Sequence, residues 1–129
     1  PRRTTSPRPL LALMDQWPES WAGVAQDKPF GAGLVTEFRS FMTHLQTLGL
    51  APKTVRHHLD NLWVIGGEII RRLNDEPVLR NTTPRQLLLD TVADGEAPFI
   101  ADATEDNQRS FDATARRLLR FLTTTSPQR

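Results

Sequence analysis

The spacing of the apolar residues, punctuated by proline and glycine, most constrains what this chain can fold into. Leu34, Phe38, Phe41, Leu45 and Leu48 recur at intervals of four, three, four and three. On a helix that spacing gathers the side chains into one stripe, which must be buried. Gly49 then stands at the C′ position, where positive φ suits a residue without a Cβ, and Leu50 can contact the helix just ended. A first long helix is predicted over 33–48. Pro52 opens the next at N1, where a missing N–H costs nothing. Val55, Leu59, Leu62, Ile65 or Trp63, Ile69 and Leu73 continue its stripe over about 52–73. Gly66 and Gly67 should weaken that helix by about 1 kcal/mol each relative to alanine. Close helix–helix approach explains them better than a hinge.

The third helix opens with Thr83 as cap, Pro84 at N1 and Gln86 at N3, placed to reach back as a capping box. Leu87, Leu88 and Val92 form its buried face and Gly95 ends it. A fourth helix over about 105–123 turns Phe111, Ala115, Leu118 and Leu122 inward. No segment alternates polar and apolar residues as a half-buried strand would. The expected fold is all-α: a compact four-helix domain over 33–123. Ahead of it, residues 1–9 hold three prolines and three arginines and read as a basic arm. Leu10–Trp17 reads as a short leader helix stopped by Pro18, and 18–33 as a connector rich in proline and glycine. Trp17 and Trp21 should pack this leader, residues 1–32 in all, onto the body. Residues 124–129 read as a tail or linker.

The inventory of reactive groups removes whole classes of function. The chain has no cysteine, which excludes disulfides, zinc ribbons and thiol catalysis. Tyrosine is also absent, and there are three histidines. His57 and His58, being adjacent, point about 100° apart on a helix and cannot chelate one metal together, and Asp60 completes no ligand set with either. Gly31-Ala32-Gly33 lacks the preceding strand and further glycine of a phosphate loop, and no serine nucleophile elbow is present. The expectation is a non-enzymatic chain with no cofactor, metal or small-molecule substrate. No apolar run reaches the length of a membrane span and no secretory signal is visible, so a cytoplasmic setting is expected.

The net charge of +1 does not by itself announce a nucleic-acid binder. The distribution says more. Lysine occurs only at Lys28 and Lys53, and nearly all the positive charge is arginine, as a base composition favouring arginine codons would also give. No basic residue lies between Arg85 and Arg109, where Asp90, Asp94, Glu96, Asp102, Glu105 and Asp106 cluster. Lys53, Thr54, Arg56 and His57 sit in the first turns of the second helix, where free N–H groups and the positive dipole end favour an anion. Arg116 and Arg120 share a face of the fourth helix, with Arg117 beside it. If the two helices pack together, these residues make one basic surface able to straddle a DNA groove. The competing reading pairs Arg116 or Arg120 with Asp112 or Asp60 in solvated ion pairs. His58 reads as a packing residue, and Trp63 as core rather than a base-stacking platform.

Two segments carry a family resemblance: Leu48-Gly49-Leu50-Ala51-Pro52-Lys53-Thr54-Val55 with the helix that follows, and Ala115-Arg116-Arg117-Leu118-Leu119-Arg120-Phe121-Leu122. With the Thr-rich opening at 81–84, they resemble the SAM-like core-binding domain that precedes the catalytic domain in the phage integrase, or tyrosine recombinase, family. Gly49, Leu50 and Thr54 occupy that family's junction positions, Val55 follows the threonine, and Leu62 matches a later leucine. The resemblance spans about 34–123. Ala51 departs from the usual capping serine, His58 from the usual tyrosine, and the connector at 94–106 is longer and more acidic. The resemblance implies a SAM-like orthogonal bundle that binds double-stranded DNA, next to a catalytic domain or other recombinase protomers. DNA contact would fall on Lys53, Thr54, Arg56, His57, Arg116, Arg117 and Arg120, with the acidic connector facing away. The family's catalytic Arg, His-x-x-Arg and tyrosine have no counterpart here, and Thr123-Thr124-Thr125-Ser126-Pro127 resembles the linker leading to them. A fragment and a free-standing relative both fit, Pro1 favouring the latter because it suits initiator-methionine removal.

Two further readings remain open. The near-neutral charge and acidic 90–106 stretch suit a helical protein-interaction or regulatory module that kept the fold without strong DNA binding. A helix-turn-helix regulator fits the Gly49 turn, but the second helix is long for a recognition helix.

Overall fold

The computed structural model describes residues 11–22 and 25–124. The basic arm at 1–9 and the tail beyond Thr124 lie outside the described residues. Five α-helices and two 3₁₀ turns, with no strand, make up the described part. They are α1 (Trp17–Trp21), α2 (Asp27–Gln46), α3 (Pro52–Asp75), α4 (Pro84–Val92) and α5 (Glu105–Thr124). The 3₁₀ turns cover Leu13–Gln16 and Pro77–Asn81. The all-helical expectation holds. None of the described helices is long and apolar enough to cross a membrane.

Among the four longer helices the contacts join α2 to α3, α3 to α5, α5 to α4, and α4 back to α2, while α1 packs closely on α2. The four longer helices therefore close a ring around one core, and the helices consecutive in sequence are not always neighbours. Phe38, Phe41, Leu45, Leu62, Ile65 and Leu118 are among the side chains sealed inside. Leu48, expected in the first stripe, lies past the end of α2 and stays 46% exposed. Ile65 takes the inward position left open between it and Trp63. Trp63 is 44% exposed, contrary to the core reading, because its place on α3 falls on the flank of the apolar stripe.

The leader departs most from expectation. Pro18 lies within the first turn of α1 and starts that helix rather than stopping one before it. The supposed connector is helical from Asp27 onward. Pro29 falls in the first turn of α2, where N–H groups have no intrahelical partner and proline therefore breaks no bond. The side chain of Asp27, fully buried, accepts from Arg80 Nη2 at 2.8 Å and Asn74 Nδ2 at 3.2 Å. A carboxylate at a helix N-terminus also complements the dipole. Trp17 and Trp21 do pack the leader onto the body, their rings 5.5 Å apart and each 6.4 Å from Phe38.

Gly49 and Gly66 are among the glycines that geometry requires. Gly49 has φ +73° and turns the chain from α2 into α3. Gly66 lies under the Trp21 indole, which occupies the space a Cβ would need. The close approach read from Gly66-Gly67 is real, but the visitor is one side chain of α1. Trp21 Nε1–H donates to the Trp63 carbonyl at 3.1 Å, fixing the ring there. At the start of α4, Thr83 Oγ1 accepts from the Gln86 N–H at 3.1 Å, as expected of the cap. The reciprocal half of the capping box does not form, because Gln86 Nε2 donates forward to Asp90 at 2.9 Å.

Candidate nucleic-acid interface

The first turn of α3 meets the middle of α5. Ala51, in extended conformation, precedes Pro52 at N1 and makes no side-chain cap. An alanine at this position leaves the N–H groups of Lys53 and Thr54 without a side-chain acceptor. Lys53, Thr54, Arg56 and His57 are all exposed. Lys53, Thr54 and His57 line a cleft of about 280 Å³ together with His58, Ser110 and Ala113. Arg56 turns the other way, toward the Trp63 flank, and its Nε donates to Asp60 at 3.1 Å. The structure thus brings three of the four α3 residues to the α5 side and holds the fourth in an ion pair.

A polar ladder joins the two helices beneath that cleft. His57 Nε2 lies 2.6 Å from Ser110 Oγ, and His58 Nδ1 lies 2.6 Å from Thr114 Oγ1. Asn61 Nδ2 donates to Ser110 Oγ at 3.0 Å, to the Ser110 carbonyl at 3.2 Å and to Thr114 Oγ1 at 2.9 Å. His58, Asn61 and Thr114 are buried, so these bonds satisfy groups that water cannot reach. Burial above all, then the neighbouring Arg117 and His57, hold the His58 imidazole below its ordinary value of 6.5. His58 is neutral at pH 7, and the Thr114 hydroxyl can donate to its Nδ1.

Farther along α5 the arginines diverge. Arg117 is half-buried and close enough to His58 to act on its charge. Arg117 and Arg120 line a second cleft of about 230 Å³ with Phe41, His44, Leu48 and Phe121. Arg116 lies on the opposite flank, where its side-chain stem runs beside Gly95. The ion pairs of Arg116 or Arg120 with Asp112 or Asp60, which the competing reading required, do not form. Asp112 instead accepts from the Ala97 N–H at 2.9 Å, and Asp60 takes Arg56.

The distribution of ion pairs isolates this face. Lys28, Arg39, Arg56, Arg71, Arg80, Arg85 and Arg109 each pair with a carboxylate. Among the described residues, the cations outside any such pair are Lys53, Arg72, Arg116, Arg117 and Arg120. All but Arg72 stand at the start of α3 or on α5, and neither cleft is lined by a carboxylate. Sequence reasoning did not single out Asn61, Ser110 or Thr114. Their signal was polar residues at a spacing of four on α5, facing polar residues at the same spacing on α3. No protein-family model, curated protein or solved structure matches the chain. The tyrosine-recombinase resemblance therefore rests on the residues themselves.

Proposed function

We propose that this chain is a non-catalytic, double-stranded-DNA-binding module of the tyrosine recombinase core-binding type, with a SAM-like bundle. The carrying observation is the gathering of unpaired cations at the start of α3 and along α5, around clefts without a carboxylate. Lys53, Arg117 and Arg120 supply the charge on the cleft side, Thr54 and His57 supply donors, and the uncapped first turn of α3 supplies backbone N–H groups. Arg116 extends the charge to the far flank of α5, and Arg56 joins only if a phosphate displaces Asp60. Such contacts grip the phosphate backbone and read little sequence. A recombinase catalytic domain or further protomers would complete the assembly at the end of α5.

Fluorescence anisotropy with a labelled duplex across a salt series tests this reading. Three phosphate contacts give a slope of log K against log salt of about −2.7. The triple variant Lys53→Ala, Arg117→Ala, Arg120→Ala should flatten that slope toward zero. A folded sample that shows no salt-dependent binding in dilute buffer removes the proposal.

The alternative, a protein-interaction module, is favoured by one observation: Phe99 stands 78% exposed in the middle of the acidic connector.

A further inference from the structure

We infer that this chain associates head to tail with a second copy of itself, Phe99 of one copy entering the cleft between α2 and α5 of the next. Phe99 is the most exposed large apolar side chain among the described residues. Its backbone is not loose. The connector is pinned to α5 by Ala97 N–H to Asp112, Ile100 N–H to Gln108 Oε1 at 3.0 Å, and Gln108 Nε2 to the Pro98 carbonyl at 3.0 Å. A held segment presenting a bare phenyl ring is a preorganised ligand, because little ordering entropy is left to lose on docking.

The cleft has the complementary form. Its walls are Phe41, Leu45, Leu48 and Phe121, and its rim carries His44, Arg117 and Arg120. At about 230 Å³ it exceeds the roughly 150 Å³ of an apolar cavity that takes up benzene. The charges match as well. Asp94, Glu96 and Asp102 flank Phe99 in the sequence, are exposed, and make no ion pair among the described residues. Arg117 and Arg120 at the rim are likewise outside any ion pair. An apolar anchor flanked by charges opposite to those at the cleft rim combines a central contact with a complementary border.

Phe99 cannot fill its own cleft while the connector stays pinned. Gly95 and Ala97 run along the flank of α5 that carries Arg116 and Asp112, whereas the cleft opens on the flank carrying Arg117 and Phe121. The two surfaces differ, so the contact is heterologous and gives rings or open chains rather than an isologous dimer. One anchor and a charged rim make a small contact of the transient class, which calls for protein at about 0.1–1 mM.

The test is sedimentation velocity on the full chain over that range, at low and high salt. The weight-average mass should rise with concentration and less so in high salt. Phe99→Ser should weaken association by about 10- to 100-fold, the equivalent of one buried aromatic ring. Arg117→Glu with Arg120→Glu should do the same from the other surface. At a concentration where each variant alone is largely monomeric, an equimolar mixture should form a 1:1 complex that grows little further, since one variant retains the cleft and the other retains Phe99. A wild-type chain monomeric throughout overturns the inference. So does a Phe99→Ser variant that associates like wild type, or a mixture that stays monomeric. Phe99 lies outside the proposed DNA face, so Phe99→Ser should leave duplex binding unchanged, and the two readings fail separately.

Discussion

Replacing Thr114 by valine isolates the polar ladder between α3 and α5, because the two side chains have nearly the same shape. Thr114 is fully buried, so no water replaces its hydroxyl. Its oxygen serves His58 Nδ1 at 2.6 Å and Asn61 Nδ2 at 2.9 Å. Asn61 keeps Ser110 as a partner after the change, but His58 Nδ1 loses the one partner found for it. A buried group left unpaired costs about 1–3 kcal/mol, and a lost hydrogen bond about 1 kcal/mol. The extra buried methyl returns about 0.8 kcal/mol, and helix propensity scarcely changes between threonine and valine. The net loss is about 2 kcal/mol, or roughly 30-fold in the folding equilibrium. Thr114→Ser keeps the hydroxyl and gives up only a methyl, costing about 1 kcal/mol. Urea unfolding of the three proteins at neutral pH provides the comparison. A valine variant as stable as wild type, or more stable than the serine variant, would refute the claim that the hydroxyl is needed there.

Acid should weaken the fold through His58. Its imidazole is held below 6.5 in the folded chain, so on acidification the unfolded chain takes up the proton first. Stability then falls as pH drops below about 6.5 and is flat with respect to this group above it; urea midpoints at about pH 7.5 and 5.5 should separate, and less so in His58→Gln. Asp27→Asn leaves Arg80 without its carboxylate and should cost about 3 kcal/mol, read as a drop in melting temperature. Gly66→Leu drives a side chain into the space of the Trp21 ring and should cost about 2 kcal/mol, with a red shift in tryptophan fluorescence as the indole is expelled. Gly49→Ala meets no neighbour but must hold φ +73°, so a loss of about 1 kcal/mol in thermal unfolding is expected from backbone strain alone.

The helices from Pro52 onward were legible in the sequence because each has local punctuation. Proline at N1 starts α3 and α4, Thr83 caps α4, and Gly49 carries the positive φ its position demands. The leader was not legible because its rules conflict. Pro18, Pro29, Gly31 and Gly33 argue for a connector by propensity, and tertiary contacts overrule them. Asp27 is tied to Arg80 and Asn74 from across the fold, Gly31 sits against Pro18, and Gly33 sits against Pro84. No window of neighbouring residues contains that information. Trp63 failed for a related reason: hydrophobicity placed it inside, whereas helix phase gives the inward position to Ile65. Within the candidate site, the charge pattern located the residues but not their directions. Arg56 and His57 are adjacent in sequence, yet one turns to Asp60 and the other to Ser110.

The polar ladder also bears on how a basic face stays in register. Apolar packing in the core that Leu59, Leu62 and Leu118 share tolerates sliding, since one leucine packs on another in many positions. Hydrogen bonds of His57, His58 and Asn61 with Ser110 and Thr114 do not. The ladder has only two positions on α5, Ser110 and Thr114, facing His57, His58 and Asn61 on α3, so only one axial alignment satisfies them all. A slip of one turn, about 5.4 Å, would leave buried groups unpaired on both helices. The same alignment sets Lys53 and His57 on α3 beside Ala113, with Arg117 one turn further along α5. The proposed phosphate-facing side chains thus take their spacing from buried groups that never touch DNA. Loss of Thr114 should accordingly lower duplex affinity in protein that is still folded, while leaving every exposed cation in place.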